Sequence, residues 1–495
     1  MLQEQAAEFR SLRRQLEEAI LPLATSVDGR RFELQASLHG LALQTGGYVV
    51  LDDDAVPRLG QVLSLELARV DGSEVTGRRT DETSLELRTR MTLRLAHGRG
   101  VVLSGDDRPF HDALVRPAQP EDVAAWLATV HPRRAALEIG ELLLAPGLSA
   151  TLDAGGFDRH TFLCGQSGSG KTYSLGLVLE RLLIETRLRI IVLDPNSDYV
   201  RLGQTRQDVG KELAARYGEV AAGIVVRRAG EGGLRLQMGE LDPAARAAAL
   251  GLDPVADREE FALLDELVGE NGMTLEDLLV SDLPEAQALR LRAANLGVDR
   301  WEIWARGRPE SVVADVEHSD ARCLVVDLGS LGTRDEQALA AEAVLATLWR
   351  RRADREPVLV VIDEAHNICP QEPGDPLTAL TSELAVRIAA EGRKYGIYLL
   401  VSTQRPQKVH ENVLSQCDNL VVMRMNSSAD LGFIGNVFSF VPTGLLERAT
   451  TFRQGHALLA GKIASHPAFV RFGSRIAEEG GGDVPADWAQ PQQSN

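Results

Sequence analysis

His160–Glu185 reads HTFLC-GQSGSGKT-YSLGLVLERLLIE, and this stretch decides the fold. An apolar run of strand length ends in a glycine-rich octet. Beyond the octet, Leu175, Val178, Leu179 and Leu182 recur at the spacing of one helix face. The octet Gly165-Gln166-Ser167-Gly168-Ser169-Gly170-Lys171-Thr172 satisfies Gly-x4-Gly-Lys-(Ser/Thr) in full, in the strand–loop–helix setting that this pattern needs. Successive backbone N–H groups and the helix N-terminus concentrate positive potential there, which suits a phosphate. Lys171 is expected to reach the β- and γ-phosphates, and Thr172 to offer a hydroxyl to Mg²⁺. The nucleotide expected is ATP.

Outward from this loop, near-continuous apolar runs alternate with helical stretches: LRIIVLD (188–194), ARCLVVDL (321–328), PVLVVID (357–363), IYLLVST (397–403) and NLVVMRM (419–425). Such runs fit parallel strands covered on both faces, an α/β layer architecture. The run VLVVIDEAH (358–366) places Asp363 and Glu364 at a strand tip, where an aspartate serves a metal shell and a glutamate orients the attacking water. Gln404, after the strand IYLLVST, stands where ligands bind in open α/β sheets and is the candidate γ-phosphate sensor. Two arginines that precede strands, Arg393 and Arg159, are candidates for neutralising transition-state charge.

The flanks differ in texture. Leu12, Leu16 and Ile20 mark an amphipathic helix within 1–25. From 26 to 118 short alternating segments (FELQASL, GYVVLDD, GQVLSLELARV, SLELRTRMTLRLA, GRGVVL) are punctuated by Gly46–Gly47, Gly60, Gly72 and Gly98, predicting a small barrel. The ATPase unit is expected over 119–475, interrupted by a strand-poor helical insertion at 205–315. The Gly/Pro/Gln-rich end, 476–495, reads as disordered.

Composition bounds the rest. The chain has 495 residues and a net charge of −18, which argues against a protein that coats nucleic acid with a basic outer face but leaves a basic channel open. No run of 18 apolar residues occurs, so no membrane-spanning helix is expected. Four dispersed cysteines without a CxxC pair fit a reducing cytoplasm.

The series GQSGSGKT, IIVLDPNSDY, VLVVIDEAHN and EGRKYGIYLLVSTQRP resembles the HerA/FtsK superfamily, HerA most closely, over roughly 29–475. The resemblance implies a RecA-like (ASCE) ATPase core with an N-terminal HAS-like β-barrel, a homohexameric ring, ATP sites between subunits, and double-stranded DNA in the pore. It assigns Lys171 and Thr172 to phosphate and Mg²⁺, Asp363 and Glu364 to metal and water, Gln404 to the sensor, and Arg393 to a neighbouring subunit's ATP. It also implies a partner docking on the barrel side, a NurA-like nuclease or another defence effector such as a sirtuin-like NADase. Two functions follow: a DNA translocase or helicase for end processing or antiphage defence, or a ring that mainly scaffolds and activates such an effector. The chain departs from the family where HerA-like proteins read DPHGEY, having Asp194-Pro195-Asn196-Ser197-Asp198-Tyr199 instead. Asp363-Glu364-Ala365-His366 spells a DEAH box, but no second motor domain with its arginine motif follows. The loop 405–412, with Arg405, Lys408 and His410, is the candidate DNA-facing loop.

Overall fold

The computed structural model describes residues 2–38, 42–53, 57–77, 87–105, 107–130, 135–307, 310–318 and 320–481. A helix, Leu2–Glu18, comes first and touches the barrel that follows. The barrel strands are β1 (Leu23–Ser26), β2 (Arg31–Ser37), β3 (Tyr48–Asp52), β4 (Arg58–Gly77), β5 (Leu87–Val102) and β6 (Phe110–Pro117). They close antiparallel in the order β1-β2-β5-β4-β3-β6. Alternation explains the closure: Phe32, Leu34, Val49, Leu51, Val62 and Val115 all turn inward. Three expected punctuation points, Gly60, Gly72 and Gly98, lie inside strands instead. Gly60 and Gly98 are strand residues, not turns, because a Cβ at Gly60 would stand 2.8 Å from the Phe32 ring and one at Gly98 2.9 Å from Leu34. Here glycine makes room for large core side chains on the next strand. The expected segment 84–96 and GRGVVL are one continuous strand from Leu87 onward; 84–86 lie outside the described residues.

The second layer is one sheet of eleven strands. They are β7 (Ala136–Leu142), β8 (Ser149–Asp153), β9 (His160–Cys164), β10 (Arg189–Asp194), β11 (Ile224–Arg227), β12 (Cys323–Asp327), β13 (Val358–Ile362), β14 (Ile397–Thr403), β15 (Cys417–Val422), β16 (His456–Gly461) and β17 (Ala468–Phe472). The order is β11-β12-β10-β13-β14-β9-β15-β16-β17-β7-β8. From β11 to β15 every pairing is parallel; from β15 to β8 every pairing is antiparallel. Helices on both faces bury every position of β9, β12 and β13, as their unbroken apolar sequences require. The antiparallel wing has no counterpart among the expected strands. Its residues alternate more and sit beside turns, so nothing in them demands a buried parallel strand.

Two further expectations change. The segment 205–315 is not wholly helical: Ile224–Val226 and Arg227 pair in parallel with β12, at the sheet's edge. Only after it do short helices gather around Leu241, Leu264, Leu278 and the stacked pair Trp301 and Trp304, packing against the helices Arg334–Arg350 and Pro376–Glu391. Residues 476–481 are ordered, with Ile476 and Ala477 buried; 482–495 lie outside the described residues. The barrel seats on the α/β domain through Gln61, whose Nε2 donates to the carbonyl of Pro467 at 2.8 Å, and through Tyr48, whose hydroxyl lies 2.7 Å from His466 Nε2. Burial pushes His466 down to about 4, so it stays a neutral partner in that joint.

Candidate functional site

The carboxyl ends of β9, β10, β13, β14 and β15 converge on one cleft of about 810 Å³, lined by Gln166, Lys171, Thr172, Asp198, Gln404 and Gln454 among others. The loop after β9 turns back through Gly168 (φ 72°) and Gly170 (φ 91°), both in the left-handed region that glycine enters without strain. Gly170 caps the helix Lys171–Glu185 without any side-chain hydrogen bond. The first-turn N–H groups therefore point at the cleft, ready for an anion. A Cβ on Gly165 would stand 2.7 Å from Ser169 Oγ and 2.8 Å from Met423 Cβ, so the loop wraps as tightly as its composition permits.

Lys171 is buried and is held three ways. Its Nζ lies 2.6 Å from Asp363 Oδ1, 3.1 Å from Glu364 Oε1 and 3.1 Å from Ser402 Oγ. Burial works against its charge, but the two carboxylates outweigh burial and hold it above the ordinary lysine value. Glu364 has φ 42°, a strained value for a non-glycine residue at the tip of β13. Gln404 Nε2 donates to its Oε1 at 2.7 Å, and His366 Nδ1 stands 3.2 Å from its Oε2 and 3.0 Å from Thr403 Oγ1. Burial would raise its pKa; His366, the charge of Lys171 and Gln404 together bring it down to about 2. Glu364 is thus a carboxylate across the physiological range. Lys171 and Gln404 both rest on its Oε1, while Oε2 is buried without a hydrogen bond.

Three neighbours of this centre were not among the candidate site residues, although two of them, Asp198 and Tyr199, lie in the segment IIVLDPNSDY. Thr172 Oγ1 lies 3.4 Å from Asp198 Oδ2, and the Tyr199 hydroxyl lies 3.3 Å from Asp363 Oδ2. Asp194 accepts the backbone N–H groups of Asp198 and Tyr199, which fixes both side chains. Burial, reinforced by the charge of Asp363, lifts Asp198 to about 6, and burial lifts Asp194 to about 7. Arg424 donates to the carbonyl of Gly168 at 3.1 Å and so braces the loop from β15. The only forewarning was position: Asp194–Tyr199 and Arg424 follow strands whose neighbours carry the recognised motifs. The ordered end of the chain also arrives here. Gly480 N–H donates to the carbonyl of Asp198, and Glu479 and Gly481 line the cleft. Arg475 and Glu180, both buried, anchor that strap with a 2.9 Å ion pair.

The two arginines of the sequence reading are not in this cleft. Arg159 precedes β9 and Arg393 precedes β14, so both stand at the amino edge of the sheet. A five-residue strand puts roughly 15 Å between the two edges. Arg159 therefore does not bind a nucleotide held by its own chain's loop, despite lying so near it in sequence, and Arg393 does not reach it either. Both instead meet Asp418, Arg393 Nη1 at 2.7 Å and Arg159 Nε at 3.4 Å. Gly165 to Thr172, Asp363, Glu364 and Gln404, by contrast, come together as one group.

With this geometry in view, the comparisons are consistent. The family described as Helicase HerA, central domain, matches residues 137–278. The DNA double-strand break repair helicase HerA of Pyrococcus furiosus is 24% identical over 405 residues, covering 68% of this chain and 69% of that protein. Its counterpart from Saccharolobus solfataricus is 23% identical over 472 residues, covering 87% of each. Among solved structures, VirB4 of Thermoanaerobacter pseudethanolicus matches 72% of this chain and 98% of its own at 18% identity, with a TM-score of 0.49. Over residues 137–278 the chain thus matches the HerA central domain, and over 68–87% of its length it is similar to HerA helicases at 23–24% identity.

Proposed function

We propose that this protein is an ATP-hydrolysing DNA translocase or helicase subunit that works only as a ring, with each ATP held by one protomer and completed by the next. The observation that carries the reading is the division of one sheet: a phosphate cradle with metal and water carboxylates at its carboxyl edge, and unused arginines at its amino edge. The names of the relatives, DNA repair helicases, supply the substrate.

The residues present fit ATP with Mg²⁺. Among the described residues no cluster of three or more His, Cys, Asp or Glu side chains would hold a metal by itself. The oxygen set of Thr172, Asp363 and Asp198 around the glycine loop suits a cation that is shared with phosphate and water. Thr172 and Asp363 would hold Mg²⁺, which supplies neutralisation of charge on the phosphates. Lys171 transfers from Asp363 and Glu364 to the β- and γ-phosphates. Its departure leaves Oε1 of Glu364 to Gln404 alone, so that the carboxylate can orient a water. Gln404, bonded to the same oxygen, then reports whether a γ-phosphate is present. Arg393, and beside it Arg159, would serve the site of an adjacent protomer, where an arginine is worth about 10³–10⁵ in rate. The loop 405–412 leaves the same strand end as Gln404, with Arg405 and Lys408 exposed, and is the segment through which the sensor would move a DNA contact. Such contacts read phosphates and are blind to sequence.

The test is steady-state ATP hydrolysis with and without duplex DNA, on the native chain and on Glu364→Gln. Expected is stimulation by DNA that weakens steeply with salt, and a loss of about 10³-fold in the variant, within the range for a positioned base. Identical rates with and without DNA would contradict the motor reading.

A further inference from the structure

The amino edge of the sheet holds a second arrangement of charge. Asp418 is the second residue of β15, and the pairing of β15 with β9 slips there: Cys417 stands opposite His160, while Asn419 stands opposite Thr161. Asp418 is therefore an extra residue without a partner on β9, a bulge, and bulges re-aim side chains. This one turns a carboxylate between Arg159 and Arg393.

Everything around the bulge is fixed. Asn419 is fully buried, its Nδ2 donating to the Gly156 carbonyl at 2.9 Å and to Thr161 Oγ1 at 3.0 Å, while its Oδ1 accepts from Ile463 N–H. On the other side His160 clamps both ends of the turn that bears Arg393. Leu399 N–H donates to its Nδ1 at 2.9 Å, so Nε2 carries the proton and donates to the Ala389 carbonyl at 3.0 Å. Burial and the nearby charge of Arg393 hold that imidazole down to about 4, neutral and locked in this tautomer. The backbone on which Arg393 rides has no freedom left; only the side chain does. Arg159, Arg393 and Asp418 are each 34–43% exposed. Each arginine meets Asp418 through one nitrogen, and a guanidinium has five N–H donors.

We propose that Asp418 is a positioning residue: it bridges two like-charged guanidinium groups and holds them side by side, so that the remaining donors face the phosphates of an adjacent protomer's nucleotide. Without it, two cations on a rigid backbone repel and splay apart. This rests on the ring reading above and goes beyond it, because it names what sets the direction of the arginines. The arrangement also places the arginines at one end of β9 and the phosphate loop at the other, so a protomer's own nucleotide and its neighbour's are gripped by the same strand.

The experiment compares Arg393→Ala, Asp418→Asn, Asp418→Glu and the double variant Asp418→Asn/Arg393→Ala in full-length protein, reading kcat and KM for ATP with DNA present, and Tm. Asp418→Asn is expected to lower kcat about ten-fold, with KM within about two-fold and Tm unchanged, since the site is part-exposed and the change is isosteric. Asp418→Glu is expected to restore part of that loss. The double variant should lose less than the product of the two single losses, because the carboxylate acts in part through Arg393. If Arg393→Ala is slow but Asp418→Asn turns over at the native rate, or if the two losses multiply, the positioning role is wrong while the ring reading stands. If Arg393→Ala itself keeps native turnover, the ring reading has failed and the proposal falls with it. A loss in Asp418→Asn accompanied by a lowered Tm and no rescue by glutamate would make the residue merely structural, which also overturns it.

Discussion

The two edges of the central sheet are opposites. At the carboxyl edge, Lys171, Asp363 and Glu364 are buried and bonded to one another, and the glycine loop closes around them. At the amino edge, Arg159 and Arg393 stand half-exposed and share the carboxylate of Asp418, Arg159 meeting Asp158 as well. One edge can bind and polarise a triphosphate, with Lys171 inside it and Arg424 bracing its loop. The other has the two arginines and no cradle. Neither is a complete site, and the thickness of the sheet forbids a chain from joining its own two halves. On the proposed reading, hydrolysis is a property of a contact between protomers.

The sharpest way to break this comparison is to remove the amino-edge cation. Arg393→Ala is expected to lower kcat for ATP by about 10³-fold, while nucleotide binding, measured by fluorescence of a labelled analogue, changes little. Native hydrolysis would reduce the amino edge to an ordinary solvated surface. A smaller effect is expected from the strap that closes the carboxyl edge. Arg475 and Glu180 are fully buried, and Arg475→Ala leaves Glu180 with only the N–H groups of Ile476 and Ala477. Breaking such a pair costs about 3 kcal/mol, seen as a lowered urea midpoint, and ATP affinity should fall as Glu479 leaves the cleft. An unchanged KM would detach the strap from the nucleotide. The smallest effect belongs to neither edge. Glu342, buried in the helix Arg334–Arg350, is lifted to about 8, mainly by burial. Its folded value exceeds its unfolded one, so its contribution is full below about pH 4.5 and is lost as pH rises toward 8. Glu342→Gln should then raise stability at pH 8 by on the order of 2 kcal/mol, less at pH 5.5, and leave hydrolysis untouched.

The carboxyl edge was far more legible in the sequence than the amino edge, for a physical reason. Gly165–Thr172, Asp363, Glu364 and Gln404 each lie directly after a buried apolar strand, so a run of apolar residues followed by a polar tip announces the place and the chemistry together. Asp198, Tyr199 and Arg424 share that edge but lack such a signature, and only Asp194, which fixes the turn, marks their position. Asp418 was invisible because a bulge is a relation between two strands 250 residues apart in the chain. The strap was read as disorder because Gly and Glu dominate it; its hold comes from Arg475 and Ile476 against Glu180, a contact over almost 300 residues. The antiparallel wing was missed because β16 and β17 are short strands whose outer partners, β15 and β7, are fixed only in the assembled sheet.

The claim that one protomer completes another's site is tested most directly by mixing two crippled chains. Lys171→Ala destroys the cradle and keeps the arginines; Arg393→Ala does the reverse. Each alone should be nearly inactive. Co-assembled from denatured or co-expressed chains, they should regain hydrolysis well above the sum of the separate rates, because some contacts then pair an intact cradle with an intact arginine. A mixture no faster than that sum, in assemblies shown to contain both chains, would contradict the account.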